Sequence, residues 1–75
     1  MESTEPIIAL GKSQLEKGNF DEALRTFERA IQLDQKDPDL WNLKGIALRS
    51  LGRYNEAIES FNKSLEIDPR DKNSS

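Results

Sequence analysis

The sequence predicts an all-α fold of four antiparallel helices, arranged as two stacked helix-turn-helix repeats of an α-solenoid. The chain repeats itself at a spacing of 34 residues, which is the separation of Gly11 from Gly45. Each repeat also carries apolar residues at the i, i+3, i+4, i+7 spacing of a helical face. Short polar connections between these segments favour antiparallel neighbours in space.

The internal repeat includes small, aromatic, acidic and aliphatic positions. The pairs that coincide after the shift are Gly11 and Gly45, Gly18 and Gly52, Phe20 and Tyr54, Ala23 and Ala57, Phe27 and Phe61, Ala30 and Ser64, and Asp34 and Asp68. We therefore interpret residues 1–70 as one domain. Its first repeat covers about residues 4–37 and its second about residues 38–71, with a polar tail at 71–75.

Local signals mark the ends of four helices over about residues 5–17, 21–33, 38–51 and 55–67. Thr4 and Asp37 each stand just before a helix start that contains proline, so both are predicted N-caps. Gly18 and Gly52 are predicted to end the first and third helices in the left-handed conformation. The small residues should let paired helices approach closely, with aromatic rings filling the space between them.

Composition excludes several classes of function. The 75 residues include no Cys and no His and carry a net charge of −3. The chain therefore lacks the commonest metal ligands and the commonest general base, and it lacks the basic surplus of a nucleic-acid binder. No apolar run approaches the roughly 18 residues of a membrane span. We expect a cytoplasmic protein that is not an enzyme, has no cofactor and binds neither membrane nor nucleic acid.

A marker pattern covers about Thr4 to Pro69. It consists of Trp41, Gly45, Ala57, Phe61 and Pro69 in the second repeat, and Leu10, Gly11, Ala23 and Phe27 in the first. This pattern resembles the tetratricopeptide repeat. The resemblance implies a scaffold or adaptor that binds a protein or peptide partner through a concave groove lined by the first helix of each repeat.

Carried over residue by residue, the resemblance assigns six positions to that groove: Ile8, Lys12, Leu15, Asn42, Ile46 and Arg49. Lys12, Asn42 and Arg49 would form a mildly cationic strip suited to an acidic or extended peptide. The family members that clamp the carboxylate tails of chaperones have basic and amide residues where Ile8, Lys12 and Leu43 stand here. We therefore expect no such carboxylate clamp.

The end of the second repeat is predicted to be apolar and uncovered. The third helix should cover Leu24, Ile31 and Leu33. Their counterparts in the second repeat, namely Ile58, Leu65 and Ile67, have no following helix to cover them. The predicted self-association face consists of Leu48, Leu51, Ile58, Leu65 and Ile67. Three explanations remain open: a longer repeat array, a different protein that covers the face, or a homodimer. We favour the homodimer, and structural self-assembly is the alternative function.

Overall fold

The computed structural model describes residues 3–69, which form four α-helices. These are α1 (Glu5–Glu16), α2 (Phe20–Leu33), α3 (Pro38–Ser50) and α4 (Tyr54–Ile67). Helix α1 packs on α2, α2 on α3 and α3 on α4, which confirms the predicted all-α fold of two helix pairs. The predicted polar tail at 71–75 lies outside the described residues.

The first helix of each pair ends in the same way. Gly18 and Gly52 have φ angles of 81° and 83°, in the left-handed region that glycine adopts without a steric penalty. The next backbone N–H then donates back to the helix, from Asn19 to the carbonyl of Gln14 (2.8 Å) and from Arg53 to the carbonyl of Leu48 (2.9 Å). This pattern is a Schellman motif, and it turns the chain sharply into the second helix of the pair.

The two predicted N-caps differ. Asp37 accepts a hydrogen bond from the backbone N–H of Asp39 (3.0 Å), as predicted, and Pro38 occupies the first helical position. Thr4 is also the N-cap residue of its helix, as predicted, but its side chain makes no capping hydrogen bond. The hydroxyl of Ser3 accepts from the N–H of Glu5 instead (3.2 Å).

The helices of each pair approach through a glycine that faces a phenylalanine. A Cβ atom placed on Gly11 would lie within 3.0 Å of three ring atoms of Phe27, and one on Gly45 would meet Phe61 in the same way. Real Cβ contacts are longer than this, so a larger residue at either position requires the phenylalanine ring to shift. The close approach that the sequence predicted from small residues is confirmed.

The core follows the contact between the two repeats. Its fully buried members come mainly from α2 and α3: Ala23, Leu24, Phe27, Ala30, Ile31, Leu40, Ala47, Leu48 and Ala57. Leu33 was expected in this core but is 45% exposed. It lies two residues after Ile31, about 200° around the helix, and therefore faces away from α3.

The two glycines should differ in their tolerance of alanine. Gly11→Ala is expected to lower the free energy of unfolding by about 1–3 kcal/mol, because the added methyl group overpacks the core by more than the gain in helix propensity offsets. Gly45→Ala is the matched variant and should cost less, because Phe61 is partly exposed and its ring can shift whereas Phe27 is fully buried. Urea denaturation followed by circular dichroism measures both, and an equal or larger cost at Gly45 would contradict this account.

The two N-cap residues, Asp37 and Thr4, provide a second pair of variants for comparison. Asp37→Ala removes the acceptor of a capping hydrogen bond and should lower the free energy of unfolding by about 1 kcal/mol. Thr4→Ala removes a side chain that makes no such bond. It should change the free energy of unfolding by no more than about 0.5 kcal/mol, the usual range for surface substitutions. Equal losses in the same denaturation experiment would show that the cap geometry does not decide the stability of these helix starts.

Candidate protein-binding surfaces

The first candidate surface is a groove of about 380 Å³ between α1 and α3. It is lined by Ile8, Lys12, Asp37, Asp39, Asn42 and Leu43, and we call it the helix groove. Three of the six residues expected in a groove, namely Ile8, Lys12 and Asn42, come together here from separate repeats. They meet because α2 packs on both α1 and α3, which brings these two helices together at one groove.

The other three expected groove residues do not line the helix groove. Leu15 and Ile46 are half-buried, and Leu15 packs against the core. Arg49 is exposed near the end of α3, where its guanidinium lies 6.0 Å from the centroid of the Phe61 ring. A cation at that distance is attracted to the ring face, so Arg49 is directed partly toward α4.

The charge of the helix groove differs from the expected cationic strip. Its lining has the carboxylates of Asp37 and Asp39 against the single ammonium group of Lys12. Asp39 was not among the residues predicted for the groove. Its position three residues before Asn42 was the missed signal, since residues three apart share a helical face. The carboxylate of Asp37 also holds the start of α3 through its capping hydrogen bond.

The second candidate surface is the outer side of α4, which we call the α4 face and define by Tyr54, Ile58 and Leu65. These side chains are 62%, 55% and 49% exposed. Their spacing of four and seven residues places them along one side of the helix. The counterparts of Ile58 and Leu65 in the first repeat, Leu24 and Ile31, are buried in the cluster to which α3 contributes. The α4 face is thus the apolar surface that a following helix covers in the first repeat.

Leu48 does not belong to this face, and its predicted exposure was wrong. It is 1% exposed and lines a small cleft with Ser60 of α4. Leu48 and Ser60 correspond to Gln14 and Thr26 in the first repeat. There the hydroxyl of Thr26 donates to the side-chain oxygen of Gln14 (2.7 Å), so these two positions face each other within a helix pair. This position faces the partner helix of its own repeat, so a leucine there is buried between α3 and α4.

Leu51 was also predicted to lie on the self-association face. It is half-buried and lines a cavity with Gly18, Asn19 and the first turn of α2. The end of α3 therefore lies across this cavity from the turn of the first repeat. Ile67, the last predicted member, is half-buried beside Gln35 and Lys36 in the connection between α2 and α3.

An ion pair marks the start of α4. The guanidinium of Arg53 donates two hydrogen bonds to the carboxylate of Glu56, at 3.0 and 2.7 Å. These hydrogen bonds lower the pKa of Glu56 and raise the pKa of Arg53. Both side chains are well exposed, so the pair orients local side chains and adds little to stability.

Two further features are absent from residues 3–69. No cluster of three or more His, Cys, Asp or Glu side chains with the arrangement of a metal site is present there. None of the four helices combines the length and the apolar character needed to cross a membrane.

Comparison with known proteins identifies the repeat. A tetratricopeptide repeat family model matches residues 8–72, which is most of the chain. No curated protein matches the sequence. Repeats of this family are generally protein-interaction modules. The matched residues include both helix pairs with their Gly–Phe contacts, and the chain belongs to the tetratricopeptide repeat family.

Proposed function

We propose that the chain binds an extended peptide segment of a protein partner in the helix groove. The observation that carries this proposal is the convergence of Ile8, Lys12 and Asn42, from two repeats, on one concave surface. The aliphatic side chains of Ile8 and Leu43 offer apolar contact. The amide of Asn42 both donates and accepts hydrogen bonds, which suits the alternating N–H and C=O groups of an extended backbone.

The charge of the groove favours a partner segment with a cationic side chain. Asp37 and Asp39 outnumber Lys12 in the lining, so an acidic peptide would meet net repulsion there. The carboxylates of Asp37 and Asp39 are therefore the candidates for contact with a lysine or arginine of the partner. The proposed role is that of a cytoplasmic adaptor without catalytic activity.

Selection from a random peptide display library on the whole chain tests this proposal. We expect enriched peptides to contain Lys or Arg, and Asn42→Ala to weaken their binding about tenfold, which corresponds to about 1.4 kcal/mol. Asn62→Ala is the matched control, because Asn62 is also an exposed helical asparagine but lies on α4. Fluorescence anisotropy of labelled peptides gives both affinities. Equal losses in the two variants, or enrichment of acidic peptides that Asn42→Ala binds normally, would overturn the groove assignment.

Self-assembly is the second candidate function, and the α4 face favours it. Ile58 and Leu65 are half-exposed although the matching residues of the first repeat are buried. Covering the exposed parts of these two side chains would contribute about 1 kcal/mol each to association. A two-fold contact between copies would give each α4 face an equivalent partner and close the assembly at a dimer.

Light scattering across a concentration series tests self-assembly. If the α4 face mediates it, the wild-type chain should dimerise at high micromolar concentration and Leu65→Glu should stay monomeric, because a carboxylate in the contact would have to be desolvated. Leu33→Glu is the control, since Leu33 is similarly exposed but lies on α2. A wild-type chain that is monomeric throughout the series would exclude this function.

A further inference from the structure

A cleft of about 430 Å³ lies beside Trp41, between the α2–α3 connection and the last turns of α4. Its lining consists of Gln35, Lys36, Trp41, Lys63 and Ile67. None of these residues lines the helix groove, so the two surfaces are separate. We call this surface the Trp41 cleft.

The indole of Trp41 is held in a fixed orientation. Its N–H donates to the backbone carbonyl of Gln35 (2.9 Å), which satisfies the polar edge of the ring. The ring is only half-buried, so part of its surface borders the cleft together with the side chain of Ile67. An apolar group that enters the cleft thus meets a wall that is already ordered, which limits the entropy lost on binding. The first repeat has Ile7 at the position of Trp41 and offers no equivalent indole.

Two lysines lie near the indole, of which Lys63 lines the cleft and Lys44 does not. The ammonium groups of Lys44 and Lys63 lie 5.3 and 5.9 Å from the centroid of the indole. Lys63 also lies 3.8 Å from a carboxylate oxygen of Glu66 in a pair that is exposed on both sides. A solvent-exposed pair of this kind is weak, so the carboxylate of a partner can replace Glu66 at little cost. Within residues 3–69, Lys36 forms no ion pair.

The balance of charge distinguishes the cleft from its surroundings. The chain has a net charge of −3 and the helix groove has two carboxylates against one ammonium group. The Trp41 cleft has two ammonium groups and no carboxylate in its lining. It is therefore a local cationic site on an acidic protein, with an apolar floor between the charges.

We infer that the Trp41 cleft is a second docking site, which binds an acidic segment of a partner protein that carries an apolar anchor side chain. The anchor packs against Trp41 and Ile67, and flanking carboxylates pair with Lys36 and Lys63. The two lysines and the acidic net charge of the chain fit a short acidic peptide better than a nucleic acid, which needs a broader basic surface. This inference goes beyond the proposed groove, which favours the opposite charge in its ligand.

Fluorescence of Trp41, the single tryptophan of the chain, reports on this site directly. The probe is an acetylated and amidated hexapeptide with two central leucines flanked on each side by two glutamates. We expect a saturable change in the emission of Trp41, and a dissociation constant that rises about tenfold in Lys63→Gln through loss of a charge-assisted contact. The same peptide with glutamine in place of glutamate should bind the wild-type chain no more tightly than the acidic peptide binds Lys63→Gln.

Lys12→Gln is the matched control, because it removes an exposed lysine from the helix groove and leaves the cleft intact. Its affinity for the acidic peptide should equal that of the wild-type chain, and circular dichroism verifies that both variants are folded. Weaker binding in Lys12→Gln but not in Lys63→Gln would place the peptide in the groove and overturn the inference. Tighter binding of a single-stranded oligothymidine than of the peptide, or no change in emission at millimolar peptide, would also overturn it.

Discussion

The close approach of the two helices within each repeat is the constraint on which the other features of this protein depend. Glycine at positions 11 and 45 leaves room for the rings of Phe27 and Phe61, and a single methyl group there would fill that space. Because both pairs obey the same constraint, they have the same geometry. Stacking one pair on the other then brings α1 and α3 to the same side of the molecule, where the helix groove forms.

The same sequence pattern has different consequences in the two repeats because only the first is followed by a helix within residues 3–69. Helix α3 covers the outer side of α2, so Leu24 and Ile31 are buried while Ile58 and Leu65 are half-exposed. The ring of Phe27 is fully buried as well, but that of Phe61 is not. In a stacked array, stability is shared between each repeat and its contact with the next, and the α4 face is the surface through which such a contact would be made.

Most of the fold was predictable because its determinants are local. Helical periodicity, the proline starts and the glycines of the two turns each depend on a few neighbouring residues, and every predicted helix boundary lies within one residue of the structure. The errors arose where a position had to be assigned to a neighbouring helix. Comparison of repeats shows that Leu48 corresponds to Gln14 but not that this position faces its own partner helix. The hydrogen bond between Gln14 and Thr26 shows that this position faces the second helix of its own repeat, and that hydrogen bond is seen only in the structure.

The surfaces were harder to predict than the core because their character depends on residues that converge from separate elements. Three of the residues predicted for a groove line the helix groove, yet the charge of its lining is dominated by Asp37 and Asp39 at the start of α3. Trp41 was identified from the sequence only as part of the repeat pattern, and its cleft exists because Lys36 and Lys63 are brought beside it from a connection and from α4. Since the groove and the cleft carry opposite balances of charge, repulsion excludes from each surface the kind of segment that the other attracts. If both proposed sites bind their ligands, charge therefore gives this small module a physical means to distinguish the two.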